Sequence, residues 1–164
     1  MMTYKYFLSL GSNIEPCLLF LNKACISLNS IGKIIQKSSI YKTQAWGEKD
    51  QPNFLNAVIE FSTDLEPNDL LINIKKIEIS IGRTSSTHWG PREIDIDIIL
   101  CQECTIDGPD LQIPHKKFAE RRFVLAPLAE IEKHLYIKSI KSSITDLLNR
   151  CPDQSYIQKL ATNW

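Results

Sequence analysis

Residues 88–100, HWGPREIDIDIIL, contain the strand pattern from which the fold can be worked out. From residue 94 onward, isoleucine alternates with Asp95 and Asp97. Successive side chains of a β-strand point to opposite faces, so the isoleucines share one face and the two aspartates share the other. The pattern predicts a strand over 93–100 that packs its isoleucine face on helices and presents two carboxylates, about 7 Å apart, on its other face.

Apolar periodicity and capping residues predict the other elements. Ser12 and Glu15 have the spacing of a capping box for a first helix, while Pro67 and Gly82 suit the start and the stop of a second. In chain order, we predict a strand over 4–10, a helix over 15–30, strands over 33–42 and 53–63, a helix from 67 to 82, the strand over 93–100, a short helix near 115–122 and a last helix over 143–150 capped by Ser143. The order β-α-β-β-α-β is that of a ferredoxin-like α+β core, an antiparallel sheet with helices packed on one face, followed here by C-terminal additions.

Composition limits the partners that this chain can have. Of its 164 residues, 43% are apolar and 23% are charged, with 19 basic and 19 acidic side chains. This length suits one domain, which we expect over residues 1–164. The balanced charge offers no field for nucleic acid or an anionic membrane, and no apolar run is long enough to span a bilayer. We therefore expect a cytoplasmic protein that binds neither nucleic acid nor a membrane.

Five cysteines form an odd set, and only CQEC at 101–104 has a paired spacing. That spacing occurs in zinc sites and in redox pairs. A zinc site needs two further ligands, and the chain has no second CxxC and no HxxxH. A redox CxxC normally opens a helix, whereas this one ends a predicted strand. Reduced thiols with a structural role are the favoured interpretation.

The two aspartates have two interpretations. They could lie on the solvated face of an antiparallel sheet, where acidic residues are tolerated. Alternatively, they hold Mg²⁺, which accepts few protein carboxylates and completes its coordination with water and phosphate oxygens. Arginines favour the second interpretation, because four of the five in the chain, and two of the three histidines, fall between residues 83 and 122. This composition indicates a nucleoside triphosphate site, although GxxxxGK[ST] and GxGxxG loops are absent from the sequence.

Aromatic and amide side chains predict a second substrate that is small and planar. Phe54 and Asn56 share one face of their strand, where a ring can stack on a heterocycle and an amide can read its edge. Trp46 and Trp89 lie in polar loops, where large apolar residues often act as lids or anchors. Phe54 alone could equally belong to the core, but a buried amide such as Asn56 needs hydrogen-bond partners.

Several stretches resemble the 6-hydroxymethyl-7,8-dihydropterin pyrophosphokinase family of folate biosynthesis. The family signature is a basic residue, any residue, Gly-Pro-Arg, two residues, Asp-aliphatic-Asp and two aliphatic residues, and HWGPREIDIDII closely resembles it. The other similar blocks are LGSN at 10–13, DQPNFLNAV at 50–58, IGR at 81–83 and IPHKKFAERRFVLAPLAEI at 113–131. The resemblance covers nearly the entire chain.

The resemblance implies transfer of a pyrophosphoryl group from ATP to the hydroxymethyl oxygen of the pterin, with release of AMP, in a monomer. It implies two Mg²⁺ ions on Asp95 and Asp97, with Asp97 as a candidate acceptor of the hydroxyl proton. The positions matching ATP contacts are Glu78, Arg83, Arg92, His115 and Arg121, and those matching pterin contacts are Thr43, Trp46, Phe54, Asn56 and Phe123. The implied catalytic residues are Arg83, Arg92, Asp97 and Trp89, the last on a loop expected to close over both substrates.

Two other functional classes stay open on the residues alone. A non-catalytic ferredoxin-like sensor would explain the fold but not the arginines around the aspartates. A two-metal nuclease or phosphatase would need more carboxylates and a surface for a phosphodiester chain. The chain also departs from the family pattern, since loop 84–90 is uncharged apart from His88, and Lys75 stands where a neutral polar residue is frequent.

Overall fold

A central antiparallel sheet of six strands organises the described residues, which are 2–47, 50–84, 90–160 and 163–164 of this computed structural model. The described strands are β1 (Tyr4–Ser12), β2 (Lys33–Lys37), β3 (Ile40–Thr43), β4 (Phe54–Thr63), β5 (Asp95–Cys101), β6 (Ile106–Asp107), β7 (Gln112–Ile113), β8 (Tyr136–Ile137), β9 (Ser142–Ser143) and β10 (Ile157–Leu160). The described helices are α1 (Cys17–Leu28), α2 (Pro67–Ile81), α3 (Arg122–Glu132) and α4 (Ile144–Asn149), with short 3-10 turns at Phe118–Glu120 and Lys138–Ile140.

Strand β1 lies between β4 and β5 in the sheet order β10-β3-β4-β1-β5, and β2 pairs alongside β4. All of these pairings are antiparallel. Strands β6 with β7, and β8 with β9, form two separate two-stranded pairs. The predicted class, an α+β fold with a ferredoxin-like antiparallel sheet, is confirmed.

Helices α1 and α2 pack on one face of the sheet. The core on this face contains Leu8 and Leu10 of β1 together with Ile96 and Ile98 of β5, and each of these side chains is buried. Ile94, just before β5, is also buried in this core. The alternation in the sequence therefore predicted the inward face of β5 correctly.

The opposite face of the sheet is covered over only half of its length, by α3 and α4. The two helices of the predicted core, α1 and α2, share one face as expected. The C-terminal additions α3 and α4 form an apolar cluster with Phe7 of β1 and Val58 of β4 on the other face. Further along the same face, β1 presents Ser9 and Gly11, and β4 presents Asn56. This polar half of the face forms the floor of a cleft.

Helix α1 is shorter than predicted. It begins at Cys17 instead of residue 15 and ends at Leu28 instead of residue 30. The predicted capping box is not formed, because Ser12 is the last residue of β1 and pairs with Leu55. Glu15 instead accepts a hydrogen bond from the Cys17 N–H, with 3.2 Å between Oε2 and N.

The predicted strand over 33–42 is divided into β2 and β3. At the break, the Ser38 N–H donates to the Val58 carbonyl over 2.9 Å, and the Ser38 hydroxyl accepts from the Val58 N–H over 3.0 Å. A serine side chain thus takes the place of one backbone partner, and both short strands still pair with β4.

The C-terminal third differs most from the prediction. The helix predicted near 115–122 is a 3-10 turn at Phe118–Glu120, and the α-helix of this region runs from Arg122 to Glu132. Strand β10 was not predicted and pairs with β3. The predicted cap of the last helix is confirmed, because the Ser143 hydroxyl accepts from the Asp146 N–H over 3.1 Å.

The five cysteines are free thiols, and the structural role favoured for CQEC stays a prediction. Within the described ranges, no group of three or more His, Cys, Asp or Glu side chains is arranged to hold a metal ion. A search of those same ranges also finds no helix that is both long enough and apolar enough to cross a membrane.

Candidate active site

A cleft of about 540 Å³ lies over the polar half of the sheet face. Eleven predicted site residues line it, namely Thr43, Trp46, Phe54, Asn56, Arg83, Arg92, Asp95, Asp97, His115, Arg121 and Phe123. Trp89 lies outside the described residues, and Glu78 lies beneath the cleft surface. The nucleotide-side and pterin-side predictions therefore converge on one cavity.

Two rows of side chains cross the sheet at the floor of this cleft. In the first row, Asn56 of β4, Gly11 of β1 and Asp95 of β5 lie opposite one another, and in the second row Ser9 lies opposite Asp97. A Cβ at position 11 would come within 2.8 Å of Asn56 Oδ1, so glycine leaves the room that the amide occupies. Since β4 and β5 are two strand spacings apart, about 10 Å, the amide and the carboxylate pair are neighbours across β1.

Asp95 is held by two arginines. Its Oδ1 lies 2.8 Å from Arg83 Nη1, and its Oδ2 lies 2.9 Å from Arg92 Nη1. Neighbouring Asp95 and Glu78 carboxylates raise the pKa of Arg83, although desolvation, the largest contribution, acts in the opposite direction. Arg83 follows the end of α2, and Arg92 precedes β5, so two separate segments meet at one carboxylate.

Asp97 is the more loosely paired carboxylate. Its Oδ2 lies 3.8 Å from Arg121 Nη1, and 33% of its side chain is exposed at the cleft floor. Burial, followed by the charge of Asp95, raises the pKa of Asp97 to about 6. A carboxylate with a raised pKa is a better proton acceptor than an ordinary aspartate, while at neutral pH it is still mostly ionised.

Glu78 does not line the cleft, because just 1% of it is exposed. It influences the cleft through the side chains that it contacts. Its Oε1 accepts from the Ile96 N–H over 2.7 Å and lies 2.6 Å from Arg83 Nη1, and its Oε2 lies 3.0 Å from Lys75 Nζ. The contact of Glu78 with ATP stays a prediction, and the buried carboxylate acts on the cleft through Arg83 and Lys75. It fixes α2 against β5 and orients Arg83.

His115 and Arg121 form a further part of the cleft wall. Burial, followed by the charge of Arg121, lowers the pKa of His115 to about 4, so its imidazole is neutral at pH 7. His115 Nδ1 accepts from the Lys117 N–H over 3.2 Å, which leaves the ring proton on Nε2 as a donor. The Arg121 guanidinium lies 4.9 Å from the centre of the Trp46 ring and 5.7 Å from that of Phe123, both distances suited to cation–π contact.

The remaining wall combines amide, hydroxyl and aromatic groups. The Asn56 side-chain amide donates to Thr43 Oγ1 over 2.7 Å, and these two residues are 4% and 3% exposed. Phe54 and Phe123 both line the same cleft. This wall has no charged group of its own and suits a neutral heterocycle with hydrogen-bonding edges.

Sequence reasoning placed Lys75 near the nucleotide but assigned no site role to five other lining residues: Ser9, Gly11, Gln44, Gln51 and Gly90. Two features of the sequence could have identified some of these lining residues. Ser9 and Gly11 interrupt an otherwise apolar strand, and Lys75 stands one helical turn before the buried Glu78. With Lys75, four cationic side chains in the described part of the cleft face two carboxylates. This excess of positive charge suits a polyanion.

The sequence matches the family model described as 7,8-dihydro-6-hydroxymethylpterin-pyrophosphokinase (HPPK) over residues 7–133. Two similar proteins are each named 2-amino-4-hydroxy-6-hydroxymethyldihydropteridine pyrophosphokinase. The one from Aquifex aeolicus (strain VF5) is 40% identical over 139 residues, which are 82% of this chain and 87% of that protein. The one from Bacillus subtilis (strain 168) is 42% identical over 127 residues, which are 76% of each chain.

A solved structure gives a likeness of fold. Wild-type HPPK-DHPS of Plasmodium falciparum matches 91% of this chain with a TM-score of 0.73 and 17% sequence identity. The matched part is 43% of that longer chain. From the family match and the identity to relatives along most of their length, the chain belongs to the 7,8-dihydro-6-hydroxymethylpterin-pyrophosphokinase family.

Proposed function

We propose that this cleft carries out the reaction of the family, the transfer of a pyrophosphoryl group from ATP to 6-hydroxymethyl-7,8-dihydropterin with release of AMP. One observation carries the proposal. A carboxylate pair flanked by arginines and an uncharged aromatic and amide wall lie on opposite sides of Gly11, within one cleft. Both substrates therefore fit side by side with their reacting groups over β1.

The cationic side chains bind the triphosphate. Arg83 and Arg92 each contact one oxygen of Asp95. Their side chains are about four-fifths buried, and each guanidinium has N–H donors beyond the one that contacts Asp95. Phosphate oxygens take up those donors, since guanidinium groups bind phosphate in a bidentate manner. The neutral His115 donates a hydrogen bond from Nε2, and Arg121 neutralises charge at the other end of the chain of phosphates.

Asp95 and Asp97 fit a hard divalent cation. Both present carboxylate oxygens on one face of β5, and both side chains are partly exposed to the cleft. A third protein ligand is not needed, because Mg²⁺ takes one or two carboxylates together with phosphate oxygens and water. We assign two ions to the pair, as the family resemblance implies. When bound, Mg²⁺ supplies further neutralisation of the phosphate charge.

The uncharged wall orients the pterin. Asn56 uses one amide hydrogen on Thr43 Oγ1 and has a second hydrogen and a carbonyl oxygen for the edge of the heterocycle. Phe54 and Phe123 supply aromatic faces for its rings. The hydroxymethyl group then points towards β5, where Asp97 accepts its proton as the oxygen attacks the β-phosphorus. The bond from that phosphorus to the oxygen bridging to the α-phosphorus breaks, and AMP leaves. All of these groups come from one chain, so a monomer suffices.

Product analysis tests this function. The purified protein is incubated with ATP, Mg²⁺ and 6-hydroxymethyl-7,8-dihydropterin, and the nucleotides are separated. We expect AMP only when pterin and Mg²⁺ are both present, and we expect it to be lost in Asp95→Asn but kept in Asp107→Asn, a carboxylate on β6 outside the cleft. ADP would mean single-phosphoryl transfer, and tight ATP binding without turnover would favour a sensor. Either result would overturn the proposal.

A further inference from the structure

Asn13 connects the two halves of the cleft without lining it. It follows β1 directly and is 2% exposed. Its N–H donates to the Arg92 carbonyl over 3.2 Å, and the Arg92 N–H donates back to Asn13 Oδ1 over 2.9 Å. Its Nδ2 donates to Gln51 Oε1 over 3.0 Å and to the Pro52 carbonyl over 3.1 Å.

The side-chain amide of Asn13 is fully used in this arrangement. Its carbonyl end binds the segment that enters β5, and its amino end binds the segment that enters β4. An aspartate would lose both donors, and a shorter polar side chain would reach only one of the two segments. Because an amide combines an acceptor with two donors, asparagine meets this requirement at the length that the position allows.

The two segments held by Asn13 belong to different sides of the cleft. The first contains Arg92, whose guanidinium lies 2.9 Å from Asp95 on the nucleotide side. The second contains Gln51, which lines the cleft, and leads within two residues to Phe54 on the pterin side. The separation between these walls sets the distance between the two reacting groups. An error of about 1 Å in such a distance can cost about 100-fold in rate.

We infer that Asn13 is a positioning residue, which holds the nucleotide wall and the pterin wall of the cleft at the spacing that in-line transfer requires. This inference rests on the proposed function and extends it to a residue that contacts neither substrate. It also gives two residues of LGSN separate purposes, since Gly11 makes room at the floor and Asn13 joins the walls.

A kinetic double-mutant cycle tests this role. The variants are Asn13→Ala, Arg92→Ala and the double variant, with Thr63→Ala as a matched control. Thr63 lies at the opposite end of β4 and also loses a buried hydrogen bond, from its hydroxyl to the Ile31 carbonyl at 2.6 Å. We expect Asn13→Ala to lower kcat by about 10- to 100-fold, and Thr63→Ala to leave kcat within about twofold even where it lowers the unfolding temperature.

The cycle separates positioning from general stabilisation. If Asn13 acts through Arg92, the double variant loses little more than Arg92→Ala alone, because coupled residues are not additive. Losses that multiply, or a kcat for Asn13→Ala within about twofold of the parent, would overturn the inference. An inactive parent protein would instead overturn the proposed function, so the two failures are distinguishable.

If Asn13→Ala does not fold, Asn13→Asp provides the test. An aspartate keeps an acceptor for the Arg92 N–H but removes both donors to Gln51 and Pro52. We expect a rise of about tenfold in KM for the pterin, with KM for ATP within about twofold. Equal changes in both KM values would contradict the inference that the carbonyl end of Asn13 holds the nucleotide wall and its amino end holds the pterin wall.

Discussion

Asn56 and Thr43 join two neighbouring strands by a hydrogen bond of 2.7 Å between Nδ2 and Oγ1, at the edge of the cleft. This bond fixes the amide orientation, and with it the donor and acceptor that remain for the pterin. Thr43→Val removes the acceptor while keeping the shape of the side chain. We expect KM for the pterin to rise by about tenfold, the equivalent of about 1.4 kcal/mol, with KM for ATP unchanged. Thr145→Val, which loses an exposed hydrogen bond to the Lys133 carbonyl, is the control. A change in KM for ATP alone would contradict this assignment.

Substitution of Glu78 should affect the binding of ATP and not that of the pterin. Glu78→Gln keeps an acceptor for the Ile96 N–H but removes the charge that orients Arg83 and Lys75. We expect KM for ATP to rise by about tenfold and stability to fall by about 1–3 kcal/mol, with KM for the pterin unchanged. The control is Glu130→Gln, which alters a carboxylate bonded to Ser39 and Tyr41 outside the cleft. Steady-state kinetics and chemical denaturation measure both quantities.

Loop 84–90 contains no Lys or Arg that could bind phosphate. We expect Lys75 to supply a phosphate contact in its place. It lines the cleft, and its Nζ lies 3.0 Å from Glu78. We expect Lys75→Gln to raise KM for ATP by about threefold to tenfold and to weaken the dependence of that KM on salt. Lys76→Gln removes the next charge on α2, which lies outside the cleft, and should change neither. Equal effects of the two substitutions would indicate only general electrostatics.

Substitution of Asp97 should affect stability and activity in opposite directions. Its folded pKa, about 6, lies above the unfolded value of about 3.9. The folded protein therefore binds an extra proton between these values, and the charged form costs stability at higher pH. Since a third of the side chain is exposed, we expect Asp97→Asn to gain only about 1–2 kcal/mol at pH 7.5, a gain that vanishes below about pH 4. Its kcat should fall by at least about 100-fold.

Denaturation across pH 3–8 measures the stability effect of Asp97→Asn. His115 contributes in the opposite direction, because its folded pKa of about 4 lies below the unfolded value of about 6.5. Its contribution to stability therefore rises as the pH rises through this range. The comparison with the parent protein at each pH removes the His115 contribution. A gain that did not vary with pH, or a variant that kept most of its turnover, would contradict the role of Asp97 as a proton acceptor.

The sequence predicted those parts of the site that depend on local periodicity. Alternation along β5 placed Asp95 and Asp97 on one face, since strand geometry alone decides this. Helix α3 was not predicted, and a short helix near 115–122 was predicted instead. Pro127 lies inside α3, and a proline within an apolar run argues against a helix. Packing of Val124, Leu125 and Leu128 on the sheet overrides that local signal.

Contacts between residues far apart in the chain leave no pattern in the local sequence, so they were not predicted. The Arg121 guanidinium reaches Trp46 from a segment far away in the chain. The bridge from Asn13 to Gln51 and Arg92 depends on two loops that are far apart in the sequence and are brought together by the sheet. Glu78 was predicted to contact ATP from the family resemblance, whereas its burial depends on the docking of α2 against β5.

The division of one sheet face into an apolar and a polar half has a consequence for folding. Val58 and Asn56 are two residues apart on β4, and Phe7 and Ser9 are two residues apart on β1. A slip of one residue in either strand would turn the side chains of that strand to the other face. Turnover is then possible only for molecules whose central strands are aligned as described, so a measurement of specific activity during refolding counts the correctly aligned sheets.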